Sequence, residues 1–214
     1  PSSHLNMVGV TGTNGKTTIV SLLYGITRSL GYSAGLISTI KVCYNEIERP
    51  ATHTTPDPIQ LHKSLLEMLD AGCEYVFMEV SSHAIDQDRT AGLVFRGGIF
   101  TNLTHDHLDY HENFANYRDA KKRFFDGLSK NAFALINKDD KNGPVMVQNT
   151  KASVYSYSLK ADSDYKVGLK EMHLEGNLLV IEGEEIWALL PGEFNACNLI
   201  AVYVGDHISS DSVN

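Results

Sequence analysis

Residues 8–18 read Val8-Gly9-Val10-Thr11-Gly12-Thr13-Asn14-Gly15-Lys16-Thr17-Thr18. Met7, Val8 and Val10 form a short apolar run that enters a glycine-rich turn, and a helical pattern begins at Ile19. A strand that passes through glycines into Gly-Lys-Thr has the layout of a phosphate-binding loop. Backbone N–H groups and a helix N-terminus face the phosphates, the lysine adds a point charge, and the Thr17 hydroxyl can hold Mg²⁺. Gly12, Thr13, Asn14, Gly15, Lys16, Thr17 and Thr18 are the expected nucleotide-binding residues. Val10 stands where the general GxxxxGK[ST] pattern has its first glycine, so TGTNGKTT is a narrower signature. The competing interpretation is a plain glycine-rich turn, which does not require Gly-Lys-Thr in that order.

Downstream, apolar runs alternate with helical patterns. The spacing predicts a helix from Lys16 to about Leu30, a strand over 34–39 and a helix near 58–71. Strands over 75–80 and 98–103, a helix near 114–128 and a strand over 132–137 follow. The strand-like runs are continuously apolar, as parallel strands covered on both faces require. The expected fold is therefore α/β, a doubly wound, mostly parallel sheet. Residues 165–190 alternate instead, with turns at Glu175-Gly176-Asn177 and Glu182-Gly183-Glu184, and predict a small antiparallel sheet. A last helix starts near Asn195, and the VGDHISSDSVN stretch after Tyr203 does not continue it by pattern, leaving 205–214 as an unassigned tail behind a domain over 1–204.

The chain has 214 residues and a net charge of -8, which weighs against nucleic-acid and anionic-membrane partners. Cys43, Cys73 and Cys197 are far apart and lack a CxxC pairing, which suggests a reducing compartment and no zinc site. No run is apolar enough to span a bilayer, and no signal peptide precedes the first strand. A cytoplasmic monomer is expected. Because PSSHLN runs almost at once into that strand, the chain reads as a piece of a longer protein.

Ligands of open α/β sheets sit beyond the carboxyl ends of the strands. One such end carries Glu79-Val80-Ser81-Ser82-His83, and another carries Thr101-Asn102-Leu103-Thr104-His105-Asp106-His107-Leu108-Asp109-Tyr110-His111. Beside a phosphate loop, Thr17 and Glu79 offer Mg²⁺ hard oxygen ligands, and His107 offers one imidazole. The alternative is a paired structural Glu79 and solvated histidines.

Phe114, Tyr117, Lys121, Phe124 and Leu128 fall three and four apart and share one helical face. Lys121 thus lies on an apolar stripe, whereas Lys122 and Arg123 point elsewhere. A buried ammonium is costly, so Lys121 is paired, deprotonated or modified, unless its head snorkels to water. A neutral amine can capture CO₂, and the resulting carbamate is an anion able to bind metal. Thr54 and Thr55 open the second large helix and either cap it or bind a ligand. Asn195 and Asn198, one turn apart, either read an adenine edge or include a cap at Asn195. Asp139 and Asp140, after a strand, are ambiguous in the same way.

TGTNGKTT, HTTPD, MEVSSHAIDQDR, TNLTHDHLDYH, YRDAKKRFF, NKDD and GEFNACN occur in that order. Together they resemble the central domain of the Mur ligases, in particular those of MurE type, over nearly the whole chain to about Tyr203. The resemblance implies an ATP- and Mg²⁺-dependent amide ligase of peptidoglycan synthesis. Such an enzyme adds a third amino acid, meso-diaminopimelate or L-lysine, to UDP-N-acetylmuramoyl-L-alanyl-D-glutamate through an acyl phosphate. It implies catalytic roles for Lys16, His107 and Lys121, and metal ligation by Thr17, Glu79, His107 and Lys121 as carbamate. Thr54, Thr55, Ser81, Gln87 and Arg89 match positions that hold the muramoyl peptide, and Asn195 and Asn198 match adenine-side positions. Asp139 or Asp140 is placed near the nucleotide. His53 departs from the asparagine common before the Thr-Thr pair. The domains that grip uridine and select the amino acid are expected outside this chain, which alone should not complete ligation. A folyl-polyglutamate or cyanophycin synthetase relative, and a phosphate-loop module that is not a ligase, are the alternatives.

Overall fold

The computed structural model describes residues 1–106 and 108–211. In chain order its strands and helices are β1 (Asn6–Thr11), α1 (Lys16–Ser29), β2 (Ala34–Ile37), β3 (Lys41–Tyr44), β4 (Ile47–Pro50), α2 (Pro58–Asp70), β5 (Tyr75–Glu79) and α3 (Ser82–Asp86). There follow β6 (Gly97–Phe100), α4 (Leu108–His111), α5 (Phe114–Asp126), β7 (Phe133–Asn137), α6 (Gly143–Met146) and β8 (Ser153–Ser158). The last elements are β9 (Tyr165–Lys166), β10 (Gly168–Met172), β11 (Asn177–Ile181), β12 (Glu184–Ala188) and α7 (Glu193–Asp211).

The main sheet has the order β4-β3-β2-β5-β1-β6-β7-β8-β9, and β10-β11-β12 form a separate sheet. From β2 to β9 in that order every neighbouring pair is parallel, whereas at the other edge β3 pairs antiparallel with both β2 and β4. The α/β expectation and the antiparallel subsheet are both observed. The hairpin was not legible by pattern, because β4 is exposed along its length and carries no buried alternation.

Alternate residues of β1 feed two cores. Met7 joins Met78, Phe100, Tyr117 and Phe124 on the face covered by α2 and α5. Val8 and Val10 join Ile19, Leu23, Ile99, Ile200 and Val204 on the face covered by α1 and α7. The chain crosses from one half of the sheet to the other between β5 and β6, which flank β1. Their carboxyl ends therefore open the crevice where such sheets bind ligands.

One expectation is corrected. Helix α7 does not stop near Tyr203 but continues to Asp211. Ala196, Ile200, Val204 and Ile208 recur every fourth residue and are all buried, so an apolar stripe carries the helix onward. Gly205, which reads as a breaker, lies where a Cβ would come 3.0 Å from Ile99 of β6. Its lack of a side chain serves close approach to the sheet, at about 1 kcal/mol of helix propensity relative to alanine. Among the described residues no helix is long and apolar enough to cross a membrane.

Candidate functional site

The loop between β1 and α1 is shaped by two glycines. Gly15 immediately precedes α1 in the left-handed region, at φ 88°. A Cβ there would meet Asn198 Oδ1 at 2.3 Å, and one on Gly12 would meet Thr101 Oγ1 at 1.9 Å. Both positions demand the bare backbone, so this is more than a tight turn. The segment after β6 braces the loop. Thr13 N donates to Asn102 O at 2.8 Å and Asn14 N to Asn102 Oδ1 at 3.0 Å. Thr101 Oγ1 donates to Asn14 O at 2.6 Å. On the other side the Tyr117 hydroxyl lies 3.1 Å from Thr13 Oγ1.

Lys16 folds over the loop, its Nζ donating to Gly12 O at 2.9 Å and Thr13 O at 2.8 Å. Burial lowers its pKa from the ordinary value, while Glu79 and Asp106 pull in the opposite direction. Thr17 Oγ1 donates to Glu79 Oε1 at 2.7 Å. The Glu79 carboxylate is buried, and it also accepts from Thr39 N at 2.8 Å and Thr39 Oγ1 at 3.0 Å. Two hard oxygen donors in contact at the start of α1 suit Mg²⁺, and the glycine-lined loop with Lys16 suits a polyphosphate. Among the described residues no cluster of three or more His, Cys, Asp or Glu could hold a metal by itself.

Lys121 lies where its helical face predicts. It is 1% exposed, beside Tyr117, Phe124 and Leu128, all buried, while Arg123 is exposed. Its Nζ donates to Gly12 O at 3.0 Å and sits 4.8 Å from the centre of the Tyr117 ring. Snorkelling is thereby ruled out. Burial, followed by the charge of Lys16, holds its pKa well below the ordinary lysine value, with Asp106 opposing.

The structure joins the remaining expected positions into one chain of contacts. Thr54 Oγ1 lies 3.2 Å from Thr39 Oγ1, and because the Thr39 proton goes to Glu79, Thr54 is the donor of this pair. Thr55 is buried and donates to Glu79 O at 2.8 Å while accepting from Ser81 N at 3.1 Å. Neither threonine caps α2, because Asp57 does so, accepting from Ile59 N and Gln60 N. Ser81 caps α3 through Ala84 N. Arg89 donates to Gln87 Oε1 and, at 2.9 Å, to Thr55 O.

Asn195 lies inside α7 rather than ahead of it, and its side chain turns back to Pro191 O at 2.8 Å. Asn198 is buried against Gly15. Asp139 and Asp140 are occupied by backbone N–H groups: Asp139 accepts from Leu159 and Ala161, and Asp140 from Leu103 and Asn142. His107 lies outside the described residues. Three residues that contact the site have no role assigned to them by the sequence: Thr39, Thr101 and Asn102. Each follows the carboxyl end of a strand or ends one, the position that singled out Glu79.

Residues 10–204 match the family model of the Mur ligase middle domain. The chain is 59% identical over 203 residues to the UDP-N-acetylmuramoyl-L-alanyl-D-glutamate–2,6-diaminopimelate ligase of Phocaeicola vulgatus, covering 95% of this chain and 42% of that protein. The ligase of the same name from Bacteroides fragilis is 58% identical with the same coverage. A solved structure of a ligase with this name superposes with a TM-score of 0.84 at 29% identity, over 96% of this chain and 44% of that one. The chain thus spans less than half the length of the relatives it matches.

Proposed function

The chain belongs to the Mur ligase family as a middle domain, and from this premise we propose that it is the ATP-binding core of a peptidoglycan ligase. The amide bond formed joins 2,6-diaminopimelate to UDP-N-acetylmuramoyl-L-alanyl-D-glutamate, the chemistry named for its relatives. One observation carries the reading. The Lys16–Thr17 pair, Glu79 and Lys121 come from three separated parts of the sequence yet meet around the loop of Gly12 and Gly15.

In this reading the loop N–H groups and Lys16 hold the ATP phosphates, and Asn195 and Asn198 lie on the base side. Thr17 and Glu79 serve Mg²⁺, which when bound neutralises charge on the transferring phosphoryl group. The substrate carboxylate attacks the γ-phosphorus, giving an acyl phosphate and ADP, and the incoming amine then displaces phosphate. Thr54, Thr55, Ser81, Gln87 and Arg89 face the acidic muramoyl peptide, with Arg89 as its cation. As the neutral amine, Lys121 would take up CO₂ with loss of one N–H proton to solvent, and the resulting carbamate would help hold a second Mg²⁺. Residues that grip uridine and select the amino acid lie outside these 214 residues, and the enzyme works in the cytoplasm.

The test is ADP release by the full-length protein supplied with ATP, Mg²⁺, the muramoyl dipeptide and either diaminopimelate or L-lysine. The expected result is turnover that needs the dipeptide and prefers diaminopimelate. Turnover with a folate or polypeptide acceptor, and none with the muramoyl dipeptide, would overturn the proposal.

A further inference from the structure

We propose that Tyr110 is a positioning residue that fixes the Gln87 amide and, through it, the Arg89 guanidinium. This rests on the reading of Arg89 as the cation that meets the muramoyl peptide.

Asp86 begins the chain of contacts. Its Oδ1 accepts from Arg123 Nη2 at 2.7 Å, which ties it to α5, the helix that carries Lys121. Its Oδ2 accepts from the Tyr110 hydroxyl at 3.0 Å. An ionised carboxylate only accepts, so the single phenolic proton is committed to Asp86. The Tyr110 oxygen is then left to accept, and it does so from Gln87 Nε2 at 3.1 Å. A primary amide whose NH₂ is pinned presents its carbonyl on the other side. There Gln87 Oε1 accepts from Arg89 Nε at 2.9 Å and Nη2 at 2.5 Å. Arg89 Nη1 completes the brace on Thr55 O at 2.9 Å.

The direction of every bond thus follows from the charge of Asp86. A reversed Gln87 amide would turn N–H groups toward a guanidinium that only donates, and the brace on Arg89 would be lost. Of the five guanidinium N–H groups three are engaged, and the other two remain for an acceptor such as a carboxylate. The Tyr110 ring is itself held, with ring centres 4.1 Å from His83 and 4.8 Å from His111. His111 is in turn fixed by a 2.9 Å contact between Nε2 and Ser82 Oγ. The Asp86–Arg123 pair is half exposed and contributes little as an ion pair, so orientation is its use here.

The test is steady-state kinetics of the full-length protein with Tyr110→Phe, which keeps the ring and removes the hydroxyl. KM for the muramoyl dipeptide should rise about tenfold, the scale of one or two lost hydrogen bonds, while KM for ATP and kcat change by less than about twofold. In a Gln87→Ala background the same change should add almost nothing. An unchanged dipeptide KM, an equal fall in kcat for any substrate, or additivity with Gln87→Ala would overturn the proposal. Wild-type turnover separates the two readings. If the wild type does not use the dipeptide, the functional reading fails and this one with it, whereas a silent Tyr110→Phe in an active enzyme overturns this one alone.

Discussion

Lys16 and Lys121 donate to the same acceptor, the carbonyl oxygen of Gly12, at 2.9 and 3.0 Å. Two ammonium groups cannot share one carbonyl cheaply in a buried setting, and the charge of Lys16 is one cause of the lowered Lys121 pKa. The phosphate-loop lysine and the buried lysine of α5 are therefore electrostatically linked. Converting Lys121 to a carbamate would replace that repulsion with attraction.

The pH dependence of stability follows from the sign of these shifts. Lys121 and Lys16 both have folded pKa values below the unfolded one, so the unfolded chain binds more protons in the interval between them. Stability therefore rises with pH through that interval, by at most about 1.4 kcal/mol per unit for each group. Denaturant unfolding in CO₂-free buffer of the wild type beside Lys121→Met, read as the difference between the two on the acid side of the ordinary lysine pKa of about 10.4, isolates the Lys121 part of this slope, because the cysteines are common to both. Lys121→Met should reduce the slope and raise stability at neutral pH, and a steeper slope in that variant would contradict the assignment.

A second expectation concerns Gly15. Alanine there must adopt φ 88° and place Cβ 2.3 Å from Asn198 Oδ1. Gly15→Ala should cost about 1–3 kcal/mol, the range for a residue held in a disfavoured backbone region, and should weaken nucleotide binding. Asn198→Ala removes the clash but not the backbone strain. The double variant should recover part of the stability lost in thermal unfolding, and no recovery would mean the contact is not the obstacle.

Glu79 should separate metal from nucleotide. Glu79→Gln keeps the shape and removes the charge that faces Thr17 and Thr39. Titration of ATP at rising Mg²⁺ should then require a higher metal concentration for the same affinity, with metal-free affinity unchanged or slightly higher. Equal Mg²⁺ dependence in both proteins would remove Glu79 from the metal site.

Much of this was legible in the sequence, for physical reasons that differ by element. The phosphate loop is encoded locally, since Gly12 and Gly15 take conformations that few other residues tolerate. Lys121 was legible because α5 is long enough for a stripe to place an amine among Tyr117, Phe124 and Leu128. The continuation of α7 was written in the spacing of Ala196, Ile200, Val204 and Ile208, but Gly205 and the polar residues around it masked that stripe. The β3–β4 hairpin was hidden because an exposed edge strand needs no apolar face. The contacts of Thr39 with Glu79, and of Tyr110 with Gln87, arise only when separate strand ends and helices are brought together.

Calorimetric titration of this chain with ATP and Mg²⁺, beside Lys16→Ala, bears most directly on whether triphosphate and metal meet at the loop. The expected result is a single Mg²⁺-dependent site, weak in this chain, that disappears in Lys16→Ala. Binding of equal strength in Lys16→Ala, or no Mg²⁺-dependent binding by the wild type at millimolar nucleotide, would contradict it.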